Sequence, residues 1–168
     1  MNAVFAMILV MTLLSGANQR LERGPALVLG QGEDNITSLI VSGDIMYAGL
    51  NTVPGGIARI SLPDFREIDK ALRFSAGENA VYSLAVVGEY LYAGLYTSPG
   101  RILKISLERF VVENSIVLNE GRNWVSCLAI EKRTLYAGLR MWPGAIVKVN
   151  LDSFSVVSVL ELRAGENN

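Results

Sequence analysis

The chain has 168 residues and a mass of 18.2 kDa, and its 51% hydrophobic content suits one folded unit with a buried core and argues against disorder. Its 15 basic and 16 acidic residues nearly cancel, leaving no electrostatic footprint for DNA, RNA or an anionic membrane surface, so no nucleic-acid partner is expected. With no histidine and a single cysteine, it lacks the commonest metal ligand, a Ser-His-Asp triad and any internal disulfide.

Residues 1–17 differ from all that follows. Val4 to Leu14 is an apolar segment of eleven residues, too short to cross a bilayer, which takes about 20. Ser15-Gly16-Ala17 then supplies the small residues that signal peptidase prefers. The segment reads as a secretory signal, although Met1-Asn2-Ala3 brings no Lys or Arg; the alternative is an uncleaved apolar helix that anchors the chain or packs on the array. A secreted or membrane-held protein is therefore expected. Residues 18–25 read as a linker, and Ala26 to Gly30 as a lone outer strand.

From there the chain repeats. Met46-Tyr47-Ala48-Gly49-Leu50 recurs as Leu91-Tyr92-Ala93-Gly94-Leu95 and as Leu135-Tyr136-Ala137-Gly138-Leu139, so the spacing between tyrosines is 45 and then 44 residues. Seven residues after each Tyr comes Pro-Gly, at Pro54, Pro99 and Pro143. A basic residue follows at Arg59, Lys104 and Lys148, then a phenylalanine at Phe65, Phe110 and Phe154. Ahead of the three tyrosines stand Gly32, Gly77 and Gly121, and Gly165 opens a further copy. Repeat units of about 33–77, 78–121 and 122–165 follow, within an array covering 26–168.

Each unit reads as four short strands, a to d, punctuated by turn residues. Strand a spans Ile36 to Ser42, Val81 to Val87 and Trp124 to Ile130; its near-uniform apolarity suits a strand covered on both faces. Cys127 lies in the third of these runs and is expected to be a buried structural thiol. Strand b is the Tyr-Ala-Gly-Leu segment, and strand c covers Ile57 to Leu62, Ile102 to Leu107 and Ile146 to Leu151. Strand d is less regular, at about Ile68 to Phe74, Glu113 to Leu118 and Val156 to Leu162. Gly and Pro at fixed offsets exclude helix outside the leader.

The pattern Leu-Tyr-Ala-Gly, Pro-Gly-x-Ile, Lys-Ile-x-Leu, Phe resembles the blades of YVTN-type or lactonase-like β-propellers. It departs from them in strand c, where Ser61, Ser106 and Asn150 stand in place of the family's aspartate. The resemblance implies an all-β fold of four-stranded antiparallel blades: three blades plus one extra outer strand, an incomplete propeller. Rings close with about four to eight blades, so either chains associate or further blades complete the ring, and exposed blade faces should drive self-association.

Alternating strand directions put the d-to-a and b-to-c loops on one rim. Tyr96, Arg101, Arg140 and Trp142 lie there and are not shared by all copies, which makes them the candidates for binding a partner or ligand. The recurrent Gly-Glu-Asn loops offer Glu33, Glu78 and Glu166 as oxygen ligands for calcium or magnesium. The competing structural reading gives glycine the turn and lets Glu accept hydrogen bonds from loop amides. Tyr47, Tyr92, Tyr136, Gly49, Gly94, Gly138 and the three prolines recur in every copy, as parts of a scaffold do. Composition favours a non-catalytic binding module; the alternative is a lactonase-like hydrolase or lyase subunit using carboxylates and a divalent ion.

Overall fold

The computed structural model describes Leu27, residues 29–33 and residues 35–163, and among them only strands and connections occur. Residues 1–17, the linker, Ala26, Val28 and Glu166 lie outside the described residues. No helix among the described residues is long and apolar enough to cross a membrane.

Blade 1 is built from β1 (Ile36–Ser42), β2 (Ile45–Leu50), β3 (Gly56–Ser61), β4 (Arg66–Glu67) and β5 (Leu72–Arg73). Blade 2 comprises β6 (Val81–Val87), β7 (Tyr90–Leu95), β8 (Arg101–Ser106) and β9 (Val111–Val117). Blade 3 comprises β10 (Val125–Glu131), β11 (Thr134–Leu139), β12 (Ala145–Asn150) and β13 (Ser155–Glu161). Each is an antiparallel sheet in chain order, and none closes on itself. The outer strand of blade 1 is split into β4 and β5, both paired to β3, rather than running from Ile68 to Phe74. The interruption falls where Asp69 turns to the Arg59 guanidinium.

The registers explain the spacing of the repeat. Tyr47 opposes Arg59, Tyr92 opposes Lys104 and Tyr136 opposes Lys148 across the b–c hairpin. Strand a carries a register shift at one station in every blade, at Ile36/Ser38, Val81/Ser83 and Val125/Cys127. In the c–d turns two of the residues standing in place of aspartate accept from the backbone: the Ser106 hydroxyl from the Arg109 amide, the Asn150 side chain from the Asp152 and Ser153 amides, whereas the Ser61 hydroxyl donates to Asp64. Each turn ends on a phenylalanine at positive φ, 46°, 51° and 44° at Phe65, Phe110 and Phe154. In blades 2 and 3 that unfavourable backbone is offset by packing of the ring: Phe110 packs on Tyr47 of the preceding blade at 6.2 Å between centroids, and Phe154 on Tyr92 at 5.9 Å.

The core therefore lies between blades. One cluster joins Tyr47, Ile57 and Phe74 of blade 1 to Val81, Leu91 and Leu103 of blade 2, and another joins Tyr92, Ile102 and Leu118 of blade 2 to Val125, Leu135 and Val147 of blade 3. The motif glycine makes the close approach feasible. A Cβ at Gly49 would stand 2.6 Å from Val81 Cγ1, and one at Gly94 would stand 2.5 Å from Val125 Cγ1.

The two outer faces are apolar and open. Leu39 and Val41 of blade 1 are 57% and 54% exposed, although their counterparts Leu84 and Val86 are packed between blades 1 and 2. Phe65, equivalent to Phe110 and Phe154, is 54% exposed because no tyrosine lies beneath it. Blade 3 offers the other half of that contact, with Tyr136 half-buried and Leu160 61% exposed. Cys127 is exposed, not buried: it stands beside Gly138 on the face a following blade would cover. Leu27 and Leu29 cover part of the first face, packing on Ala48, Ala58 and Ile60 without forming a strand among the described residues.

One turn breaks the pattern. The a–b turns hold Gly43 and Gly88 at φ 58° and 57°, but blade 3 has Lys132 there at φ 54°. A side chain in this left-handed region costs about 1–2 kcal/mol, and the exposed pair of Lys132 with Glu131 returns little of it. Lys132→Gly is expected to raise stability by about 0.5–1 kcal/mol in urea titrations; an unchanged or lowered midpoint would show that the lysine is not strained.

Candidate functional site

The b–c loops and d–a loops do share a rim, and hydrogen bonds lock them together between blades. Between blades 1 and 2, the Gly55 amide donates to the Glu78 carbonyl at 2.8 Å and the Ala80 amide to the Thr52 carbonyl at 3.1 Å. Between blades 2 and 3, Gly100 donates to Arg122 at 2.8 Å and Trp124 to Thr97 at 3.0 Å. The Val53-Pro54, Ser98-Pro99 and Trp142-Pro143 bonds in the b–c loops are all cis.

Tyr96 lies at the centre of an aromatic stack on this rim. Its ring is 4.3 Å from Tyr82 at an interplanar angle of 20°, and 5.4 Å from Trp124 at 17°. Tyr82 comes from the inner strand of blade 2, Trp124 from the loop entering blade 3, so the stack bridges two blades. Such near-parallel pairs gain about 0.5–1.5 kcal/mol beyond the area they bury. The Trp124 carbonyl also accepts from the Arg140 amide at 2.9 Å, which ties Arg140 to the same place. Arg101 is engaged elsewhere: its Nη1 is 3.8 Å from Glu78 Oε1. Trp142 stands out from the blade 3 loop with 65% of its surface exposed.

Tyr82 and Trp124 were legible only in part. Their counterparts are Thr37 and Ser126 for the first, Asn35 and Ala80 for the second, so a large ring in a small residue's place was the available signal. Trp124 reads as the first residue of strand a, yet its φ of 55° sets it in the loop, like Ala80 at 46°.

The loop glutamates are tied into their own turns. Gly32, Gly77 and Gly121 take φ values of 78°, 84° and 80°, which only glycine adopts freely. Glu33 accepts from the Gly30 amide at 3.1 Å and from Arg73 at 3.3 Å; Glu78 accepts from the Ser75 amide at 3.0 Å. A cation bound by these carboxylates would have to displace Arg73 and Arg101. Among the described residues no three of His, Cys, Asp or Glu stand close enough to hold a metal ion.

Glu33 has an acidic neighbour. Burial, and then the Glu33 carboxylate beside it, push the Glu67 carboxyl above its ordinary range. The neutral form is favoured in the folded chain, so this contribution to stability is fully present below the ordinary glutamate pKa and is lost as pH rises through the raised value. Glu67→Gln is therefore expected to raise the melting temperature at pH 7 and to leave it unchanged near pH 4. Equal shifts at both pH values would refute the repulsion.

No family profile and no curated protein matches the sequence. Solved structures do match its shape. The WD40 repeats of RRP9 superpose with a TM-score of 0.63 at 20% identity, covering 82% of this chain and 40% of theirs. The chain has the β-propeller fold. The computationally designed Ika4 protein matches with a TM-score of 0.60 at 16% identity over 81% of this chain and 79% of that one. A europium-containing methanol dehydrogenase matches with a TM-score of 0.62 at 10% identity over 83% of this chain and 27% of its own. This propeller thus spans about two fifths of the RRP9 chain, and the likeness at these identities concerns fold alone. As the repeat implied, the blades are all-β, four-stranded and antiparallel, and the array they form is incomplete.

Proposed function

We propose that this chain is a non-catalytic binding module, secreted or held at a membrane by its N-terminal segment, whose loop rim carries the recognition surface. The observation that carries this reading is the stack of Tyr82, Tyr96 and Trp124. Its three rings are absent from the equivalent positions of the other copies, so the blade scaffold does not require them. Aromatic and arginine side chains dominate the energetics of protein interfaces, and Arg140 and the exposed Trp142 extend the same surface. The two open faces support a further part of the reading: additional blades, from a second copy or a longer protein, complete the ring.

The test replaces Tyr96, Arg101, Arg140 and Trp142 with alanine together. The variant is expected to lose at least about tenfold in affinity for a partner recovered by the wild-type chain, with circular dichroism unchanged, since each hot-spot truncation costs about 2 kcal/mol or more. Undiminished affinity would end the assignment of this rim. Mass spectrometry of the exported protein tests the N-terminal reading separately: cleavage after about residue 17 supports a signal, and retention of Met1 to Ala17 supports an anchor.

A further inference from the structure

A cleft lies on the opposite rim, where the a–b turns of blades 2 and 3 meet the c–d turn of blade 3. It has a volume of about 510 Å³ and is walled by Val87, Tyr90, Tyr92 and Leu151, with Lys104 and Lys132 contributing charge. That volume falls in the range of small-molecule sites, roughly 300–1,000 Å³.

The equivalent place between blades 1 and 2 shows what fills such a gap. There Arg59 lies 4.2 Å above the Phe110 ring and is ion-paired with Asp69. Blade 2 has Lys104 at that station, facing Asn114 across the strands instead of a carboxylate. Its ammonium turns to Tyr90, 3.8 Å from the ring centroid, and leaves Phe154 to Tyr92 alone. Among the described residues no carboxylate lies within ion-pair distance of Lys104, so its charge is balanced only by a π face.

Lys132 stands beside the same cleft in the backbone conformation that the other two blades give to glycine. A strained residue with a charged side chain at a cleft is an outlier from which a function can be inferred. The remaining charges narrow the ligand. Arg133 is bonded to Asp152 at 2.6 Å and the exposed Lys132 ammonium stands 3.1 Å from Glu131, which leaves Lys104 as the lining cation without a carboxylate partner among the described residues. One unpaired ammonium suits a monoanion better than a phosphate dianion, and the aromatic and aliphatic walls suit a flat apolar body.

We propose that this inter-blade cleft binds a small aromatic or otherwise planar carboxylate, with Lys104 and Lys132 taking the carboxylate and the Tyr90 and Leu151 walls its body. The site is separate from the loop rim, so either reading can fail without the other.

Benzoate titrated into the full chain, followed by NMR or calorimetry at low salt, is the test. Saturable binding is expected, at least about tenfold tighter than benzamide, which keeps the shape and lacks the charge. Lys104→Met is expected to weaken it about tenfold and Lys132→Gly three- to tenfold, the second while raising the melting temperature; Lys148→Met, the same station in blade 3, is expected to leave it unchanged. Should Lys104→Met fail to fold, Lys132→Gly and the benzamide comparison still decide. Non-saturating benzoate, equal binding of benzamide, inorganic phosphate bound more tightly than benzoate, or Lys132→Gly without loss would each overturn the proposal.

Discussion

Gly94→Ala is expected to cost about 1–3 kcal/mol of folding stability, the range for an overpacked core, whereas Gly138→Ala costs less than about 1 kcal/mol. The two glycines hold the same place in the same motif. Within its blade each would set a new Cβ 2.3 Å from a strand-a side chain, Ser83 Oγ or Cys127 Sγ, which can rotate away. Only Gly94 also meets the following blade, where Val125 Cγ1 would be 2.5 Å away and Val125 Cβ 3.1 Å. Val125 is fully buried at the interface and has no room to move. Urea unfolding of both variants measures the difference. Equal losses would mean either that the glycine serves strand b itself or that another blade covers blade 3 in solution, and sedimentation of the wild-type chain separates the two.

Sedimentation also bears on the second large effect. At tens of micromolar the chain is expected to sediment above its monomer mass, because both outer faces expose apolar side chains that are buried at the internal interfaces. Leu39→Asp, on the first face, and Leu160→Asp, on the last, are each expected to weaken association at least tenfold, since the contact must desolvate the new charge. Mixing the two variants is expected to restore a dimer. Each keeps one intact face, and the internal interfaces run last face on first face, as the pairs Phe110 on Tyr47 and Phe154 on Tyr92 show. A wild-type chain that remains a clean, soluble monomer would remove this prediction.

The blade was legible because each copy meets the same local demands. Tyr47, Tyr92 and Tyr136 mark strand b, and the basic residue at a fixed offset is the one the hairpin register sets opposite. Gly32, Gly77 and Gly121 announce the d–a turn because their φ values exclude other residues at little cost. The outer strand was read less well. Most of its residues are exposed on both faces, so alternation is weak, and Asp69 draws blade 1 away from regular pairing. Cys127 was misplaced because an apolar strand does not say whether a neighbour covers it.

The candidate site divides in the same way. Tyr96 stood out as a residue that its copies lack, but Tyr82 and Trp124 belong to different blades and meet only when the blades stack. The rim that carries them was inferred from strand direction alone. The cleft at Lys104 had no signal at all, since Lys104 and Arg59 look interchangeable in the repeat, and only packing shows that one fills its gap and the other leaves it open.

By itself the sequence determined the repeat, the four strands of each blade and the shared rim, because those follow from backbone geometry and side-chain alternation within some 45 residues. The tertiary structure alone decided which faces stay bare, which rings stack and where a cleft remains. Those outcomes depend on pairs of residues from different blades, and their contact is set by how the sheets stack rather than by their spacing along the chain.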